Sequence, residues 1–80
     1  MANVSEGDYI NRLSTVAPNQ LERGETSGAE DIGEYNTMRV DRVTTDTVRI
    51  FDLRTELQIE IDSNQFEKML DEVLFMTVEE

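Results

Sequence analysis

The chain has 80 residues, and its 18 acidic and seven basic side chains give a formal net charge of −11 and an isoelectric point near 4.2. Such a polyanion is a poor ligand for DNA, RNA or an anionic membrane surface, because phosphate recognition needs cations that displace counterions. The lack of Cys and His excludes disulfides, Ser-His-Asp and Cys-His catalysis, and zinc sites with nitrogen or sulfur ligands. The charge favours a cationic protein partner or a salty environment.

The length predicts a single domain over 1–80 with a modest stability, which repulsion among the acids lowers further. No apolar run is long enough to span a bilayer, and the N-terminal residues lack the pattern of a signal peptide. We therefore expect a cytoplasmic location, which is the host cytoplasm if the chain is viral. We also expect no cofactor and no membrane contact.

The first predicted element is a short helix over 6–17. Ser5 lies three residues before Asp8, which is the spacing of a helix start. Apolar residues then recur at helical spacing until Pro18 ends the run. They are Tyr9, Ile10, Leu13, Val16 and Ala17.

The next predicted segment is an acidic loop over 18–36. It contains Gly24, Gly28 and Gly33, many acids and few apolar residues, which is typical of a loop. The residues of this loop that we consider for contact with the core are Leu21, Ile32 and Tyr35.

Residues 37–61 have the β-branched composition and alternation of three strands joined by short turns. The predicted strands are Thr37–Val43, Thr47–Leu53 and Glu56–Ile61, with turns at 44–46 and 54–55. The third strand alternates most clearly, and its inward residues are Leu57, Ile59 and Ile61. In the second strand Val48 and Ile50 are out of phase with Phe51 and Leu53, so either a bulge lies near Ile50 and Phe51 or both faces are partly covered.

The last predicted element is an amphipathic helix over 64–76. Asp62, Ser63 and Asn64 are possible helix caps, with Asn64 and Glu67 at capping-box spacing. The apolar positions that follow have the pattern of one helix face. Those positions are Phe66, Met69, Leu70, Val73 and Leu74. The run 74–78 is too apolar for one stripe, so it either wraps the helix end into the core, forms a short fourth strand or supplies an oligomer contact. The order α-loop-β-β-β-α predicts an α+β domain, a three-stranded antiparallel meander packed by helices.

Acidic residues are concentrated towards both ends of the chain, whereas the two middle strands hold most of the arginines. We interpret Arg39, Arg42, Arg49 and Arg54 as cross-strand partners of Asp41, Asp46 and Asp52, or Arg49 or Arg54 as an anchor for a partner. A weak Mg²⁺ or Ca²⁺ site at Asp31 with Glu30 and Glu34 is a lesser interpretation than a simple acidic loop. We predict no metal site, and the absence of a catalytic motif predicts that the protein is not an enzyme.

The C-terminal acids are the candidate partner-binding residues. They are Glu56, Glu60, Asp62, Glu67, Asp71 and Glu72. One interpretation is a solvated polar face. The other is a presented row, with alternate strand positions about 7 Å apart, that occupies a cationic groove reserved for nucleic-acid phosphates. Like charges at Glu67 and Asp71 cost a few tenths of a kcal/mol and have no local benefit, which agrees with a role in binding.

The order of the elements resembles that of small acidic phage-encoded inhibitors, the anti-CRISPR and anti-restriction proteins that mimic nucleic acid. It includes the passage Asp62-Ser63-Asn64-Gln65-Phe66-Glu67 from an acidic strand into an amphipathic helix. The resemblance contains no motif that can be aligned, so it assigns no site residues. It implies stoichiometric binding to the cationic nucleic-acid groove of a host defence or nucleic-acid-processing protein, which is blocked by occupancy.

Two alternatives remain for the function. The first is a small viral accessory or assembly protein that forms homo-oligomers through Phe75, Met76 and Val78. The second is an interaction module whose acidity reflects adaptation to salt, because one Lys against six Arg and many acids are typical of proteins from a high-salt cytoplasm.

Overall fold

A computed structural model of the protein describes residues 4–70 and 72–76. In chain order its elements are β1 (Tyr9–Leu13), α1 (Pro18–Arg23), β2 (Tyr35–Val43), β3 (Thr47–Asp52), β4 (Gln58–Asp62), α2 (Ser63–Met69) and β5 (Leu74–Met76). The strands form one antiparallel sheet in the order β4-β3-β2-β1-β5. The domain is therefore broadly α+β, as expected, but its sheet has two strands more than the predicted meander.

The predicted meander over 37–61 is confirmed as β2, β3 and β4. The turn between β2 and β3 is closed by Thr44, whose N–H donates to the carbonyl of Thr47 over 2.9 Å. The hairpin between β3 and β4 is in register, with Ile50 opposite Ile59. Leu57 does not belong to the strand, contrary to the prediction, because the chain is still in the turn at that point and Leu57 is 50% exposed.

The irregularity that was predicted in the second strand, β3, lies instead on its neighbour β2. The register between β2 and β3 shifts between Val40 and Arg42, so Asp41 is the extra residue of a bulge. The predicted bulge near Ile50 and Phe51 is wrong, because β3 keeps strict alternation. Phe51 lies on the outer face, where the guanidinium of Arg39 covers it at 5.1 Å from the ring centre. Both faces of β3 are thus partly covered, which was the other alternative.

The predicted helix over 6–17 is wrong, because the chain forms a turn and then β1. The N–H of Ser5 donates to the carboxylate of Asp8 over 2.9 Å, and the N–H of Asp8 donates to the carbonyl of Ser5 over 3.0 Å. This pair of contacts closes a tight turn rather than starting a helix, and Gly7 supplies the positive φ of 93° that the turn needs. In β1, buried Ile10 and Arg12 alternate with less buried neighbours, which is the period of a strand.

The acidic segment 18–36 contains α1, so its description as a loop is partly wrong. Pro18 begins this helix instead of ending one, because its fixed φ suits a first helical turn. The side chain of Gln20 accepts from the N–H of Ala17 over 2.8 Å, and Gly24, with a φ of 71°, ends the helix. Of the three apolar residues considered for core contact, Leu21 alone is fully buried, while the exposed ones are Ile32 and Tyr35.

The predicted helix over 64–76 is correct for its first half only. Of the three possible caps, Asp62 is the one that caps the helix, rather than Asn64 with Glu67. The helix ends at Met69, and the chain then forms β5, which pairs with β1 and so supplies hydrogen-bond partners to a strand edge that would otherwise be open. The alternative of a short strand is confirmed for 74–76, and Val78 lies outside the described residues.

The core lies between one face of the sheet and the two helices. Leu21 of α1 and Phe66 and Met69 of α2 belong to the same apolar cluster as the inward residues of the strands. The largest inward strand residues are Ile10, Leu13, Met38, Ile50, Ile61 and Leu74. Among the described helices, none is long and apolar enough to cross a membrane.

Candidate functional site

The predicted binding residues of the third strand are placed in two different settings. Glu60 and Asp62 lie on the outward face of β4, where alternate positions are exposed. Glu60 is paired with Arg49 opposite it, with 3.2 Å between Oε2 and Nη2. Glu56 precedes the strand and lies in the turn after β3 with a φ of 60°. The structure therefore brings together two of the three predicted carboxylates of this strand.

The remaining predicted residues are distributed along and after α2. The carboxylate of Asp62 accepts from the N–H groups of Asn64 and Gln65 over 3.0 and 3.2 Å, so this residue caps the helix as well as facing outwards. Glu67 is half-buried on α2, and Glu72 is exposed after the helix. Asp71 lies outside the described residues.

Two further ion pairs lie at the surface, within β2 and after α1. Arg39 donates to Asp41 over 2.6 Å, and Arg23 donates to Glu25 over 2.7 Å. The hydrogen bond from Arg39 holds the pKa of Asp41 below its ordinary value, with Gln58 adding a second donor, and Asp41 in turn raises the pKa of Arg39. Arg39 does pair with Asp41, but both residues lie on β2, so this is not the predicted cross-strand contact. Arg49 makes a cross-strand pair, but with Glu60 of β4 rather than with one of the predicted acids.

The interior contains an ion pair that sequence reasoning did not identify. Arg12 of β1 and Asp52 of β3 are both buried, and Nη2 of Arg12 lies 2.5 Å from Oδ2 of Asp52. Burial alone raises the pKa of Asp52, but the N–H of Thr55, the Arg12 guanidinium and the N–H of Arg54 outweigh it. The pKa of Asp52 therefore lies below its ordinary value. The sequence signal that could have identified this pair is that Arg12 and Asp52 have opposite charges and that each is in phase with the inward apolar residues of its strand.

This buried pair joins three segments of the chain. Nη1 of Arg12 donates to the carbonyl of Val16 in the segment after β1. Oδ1 of Asp52 accepts from the N–H groups of Arg54 and Thr55 over 2.8 and 3.0 Å, which fixes the turn between β3 and β4. The pair therefore holds the loops at one end of the sheet in a defined conformation.

The acidic loop before β2 uses its central carboxylate internally. Asp31 accepts from the N–H of Gly33 over 2.9 Å and from the hydroxyl of Tyr35 over 3.0 Å. The hydrogen bond to Asp31 raises the pKa of Tyr35, because the carboxylate holds the phenolic proton. In the part of the chain that the structure describes, no group of three acidic residues is arranged to hold a metal ion.

The candidate site is therefore a surface of exposed charged and hydrogen-bonding side chains. The buried pair of Arg12 and Asp52 stabilises the fold that carries this surface. Comparison of the chain with protein-family models, with curated proteins and with solved structures found no match.

Proposed function

We propose that the protein is a non-enzymatic acidic inhibitor that binds the cationic nucleic-acid groove of a host defence or nucleic-acid-processing protein and blocks it by occupancy. The observation that supports this proposal is that most basic side chains are paired with acids of the same chain, whereas many exposed acids are not paired. Within the described residues, four of the seven basic side chains are in ion pairs with carboxylates of the same chain. Exposed carboxylates that form no ion pair within residues 4–70 and 72–76 include Glu22, Glu30, Glu34, Glu56 and Glu72.

These carboxylates lie on α1, on the loop before β2, on the turn after β3 and after α2, so negative charge is presented on several sides. A field of this kind steers a cationic partner into encounter and accelerates association, with a strong dependence on salt. Nucleic acid competes for the same partner surface, because both ligands meet it through anionic groups.

The proposal is tested by capture of basic nucleic-acid-binding proteins from a cell lysate on the immobilised chain. We expect capture at low salt and release by about 0.5 M NaCl, where the Debye length is shorter than about 5 Å. Duplex DNA in solution should also release the captured protein. Capture that is indifferent to both salt and DNA would contradict the proposal.

A matched pair of variants separates charge from fold. Glu22→Lys, Glu56→Lys and Glu72→Lys together change exposed residues that are not ion-paired within the described chain. We expect slower association with the captured partner, because steering depends on the summed charge. The control replaces the same three residues by Asp and keeps the charge, so it should associate at the original rate. Equal rates for the Lys and Asp variants would contradict the proposal.

A second candidate function, an assembly protein, is favoured by β5. This edge strand carries no charge, and its Met76 is 45% exposed. Among the described strands β5 pairs only with β1, and Leu74 also makes an isolated bridge to Leu70, so the edge at Phe75 and Met76 is the part that can add a strand. If the protein is an oligomer that Phe75→Ser or Met76→Gln converts to a monomer with loss of activity, the assembly function replaces the inhibitor function.

A further inference from the structure

Exposed apolar side chains are concentrated at one end of the sheet. Six large apolar residues of the described chain are exposed, and four of them lie at this end, three in its loops and one, Tyr35, at the start of β2. Ile32 is 54% and Leu57 is 50% exposed, and Tyr35 and Leu53 are exposed to a similar extent. We call these four residues the apolar end. The other two, Tyr9 and Met76, lie towards the opposite end of β1 and β5, where Ile10 pairs with Met76.

The loops that carry the apolar end are joined by hydrogen bonds. The N–H of Ser14 donates to the carbonyl of Glu34 over 3.0 Å, and Oγ1 of Thr15 donates to the carbonyl of Glu30 over 2.6 Å. These contacts connect the segment after β1 to the loop before β2. On the other side, Nη1 of Arg54 donates to Oδ1 of Asn36 over 3.4 Å, which connects the turn after β3 to the start of β2.

The apolar end is held in place by internal carboxylates. Asp31 fixes the turn that presents Ile32 by accepting from Gly33 and Tyr35. Asp52 fixes the turn that presents Leu57 by accepting from two N–H groups of that turn, and the carbonyl of Leu57 itself accepts from the N–H of Asp52 over 2.8 Å. Exposed apolar side chains on fixed turns lose little conformational entropy on binding, so they are suited to contact a partner.

Negative charge surrounds these apolar side chains. Glu30, Asp31 and Glu34 flank Ile32 and Tyr35 along the chain, and Glu56 precedes Leu57; all four acids are exposed. Arg54, a basic residue of the turn after β3, donates a hydrogen bond to the side chain of Asn36. An apolar centre with a charged rim is the usual organisation of a protein interface, and an acidic rim matches a basic partner.

We infer that the apolar end is the surface through which the protein binds its partner, and that the partner is a basic protein with apolar side chains at the centre of its cationic surface. The inference rests on the proposed function and places its contact on the loops at one end of the sheet rather than on β4 and α2. Four adjacent strand ends span about 15 Å at the usual strand spacing. This width fits within a standard interface of about 800 Å² on each partner.

The test uses two defined cationic probes. One is a peptide of alternating arginine and leucine, and the other is a peptide of the same length and charge with serine in place of leucine. We expect the arginine–leucine peptide to bind more tightly and to shift the backbone amide resonances of residues 30–35 and 53–57. The arginine–serine peptide should bind weakly and shift resonances over a wider surface.

Variants locate the apolar contact. Ile32→Ser with Leu57→Ser should weaken binding of the arginine–leucine peptide at least about tenfold, as expected for two central contact residues. The matched control, Tyr9→Ser with Met76→Ser, removes similarly exposed apolar side chains from the opposite end and should bind as the original does. Melting temperatures of both variants check the fold, and the resonance shifts of the unaltered chain give an answer that does not depend on either variant.

The outcomes distinguish this inference from the proposed function. If both peptides bind equally, with shifts confined to β4 and α2 and no effect of Ile32→Ser with Leu57→Ser, the apolar end is not the binding surface and the proposed function stands. If neither peptide binds at low salt, both the inference and the proposed function are overturned.

Discussion

Arg12 and Asp52 form an ion pair in the interior, and this pair connects β1 to β3 across the intervening strand β2. Two charges buried together are costly to remove from water, so the attraction between them and additional hydrogen bonds must offset that cost. Here Val16 accepts from Arg12, and two turn N–H groups donate to Asp52. These contacts offset part of that cost and fix the loops that present the apolar end, while Nε of Arg12 is buried without a hydrogen-bond partner.

The first prediction concerns this pair. Asp52→Asn keeps an acceptor for the turn but leaves Arg12 buried without a counter-charge, and should lower the free energy of unfolding by about 3–5 kcal/mol. Adding Arg12→Met removes the unpaired charge and should restore part of that loss. Urea denaturation of the two variants measures both effects. A double variant less stable than the single variant would show that the pair is not coupled in this way.

The second prediction concerns pH. Because the folded pKa of Asp52 lies below its unfolded value, of about 3.9, its contribution to stability is complete above that value and is lost as the pH falls through the folded pKa. The lowered pKa of Asp41 acts in the same direction. The measurement is the difference in unfolding free energy between the original and the Arg12→Met, Asp52→Asn variant, in which effects of other carboxylates cancel. We expect the original protein to lose stability relative to this variant below about pH 4. A difference in unfolding free energy that does not change with pH would contradict the prediction.

Sequence patterns predicted the strands of the meander because hydrophobic alternation there has one interpretation. They were misleading for 6–17, where Ile10, Leu13 and Val16 fit the spacing of a helix, although Ile10 and Leu13 belong to β1 and Val16 is a buried residue after it. The partner of this segment, β2, is distant in the chain, and pairing with it decides the structure. The short β5 depends in the same way on an edge of β1, which local propensity does not contain.

The candidate site shows the same limit. The sequence predicted exposure of Glu60 and Asp62 correctly, because strand alternation determines it. It named Asp62 among the possible caps of α2, because capping is a local contact, but it did not predict that Glu60 pairs with Arg49, since that pair depends on the neighbouring strand. The exposure of Leu57 was missed because the turn is longer than the pattern indicated.

The third prediction concerns the buried face of α2. Met69 is fully buried, whereas Leu70 is half-buried at the end of the helix. Met69→Ala should lower the free energy of unfolding by about 2–5 kcal/mol, the cost of truncating a core side chain. Leu70→Ala is the matched control and should cost less. Thermal unfolding of the two variants gives the comparison. An equal or larger loss for Leu70→Ala would mean that α2 is rotated about its axis so that Leu70 rather than Met69 faces the core.

The fourth prediction concerns the backbone at Glu56. Its φ of 60° is costly for a residue with a side chain, and Gly adopts it freely. Glu56→Gly should therefore raise the free energy of unfolding by about 0.5–1 kcal/mol, after the greater entropy of glycine in the unfolded chain is included. Glu56→Gln controls for the lost charge and should not give this gain at high salt. Equal stabilities of the Gly and Gln variants would show that the backbone there is not strained.

The fifth prediction concerns salt, and it separates the proposed function from adaptation to a salty environment. Repulsion among exposed carboxylates lowers stability, so NaCl should raise the melting temperature as the Debye length falls below about 10 Å. The exposed pairs Arg23–Glu25 and Arg49–Glu60 weaken with salt but contribute little, and the buried Arg12–Asp52 pair is screened much less. Most of the gain should therefore be complete by about 0.5 M. Sodium chloride is preferable to sulfate, which strengthens apolar burial in any protein. A flat response below that concentration would show that repulsion does not limit stability. A melting temperature that continues to rise through molar NaCl would instead favour salt adaptation as the reason for the acidity.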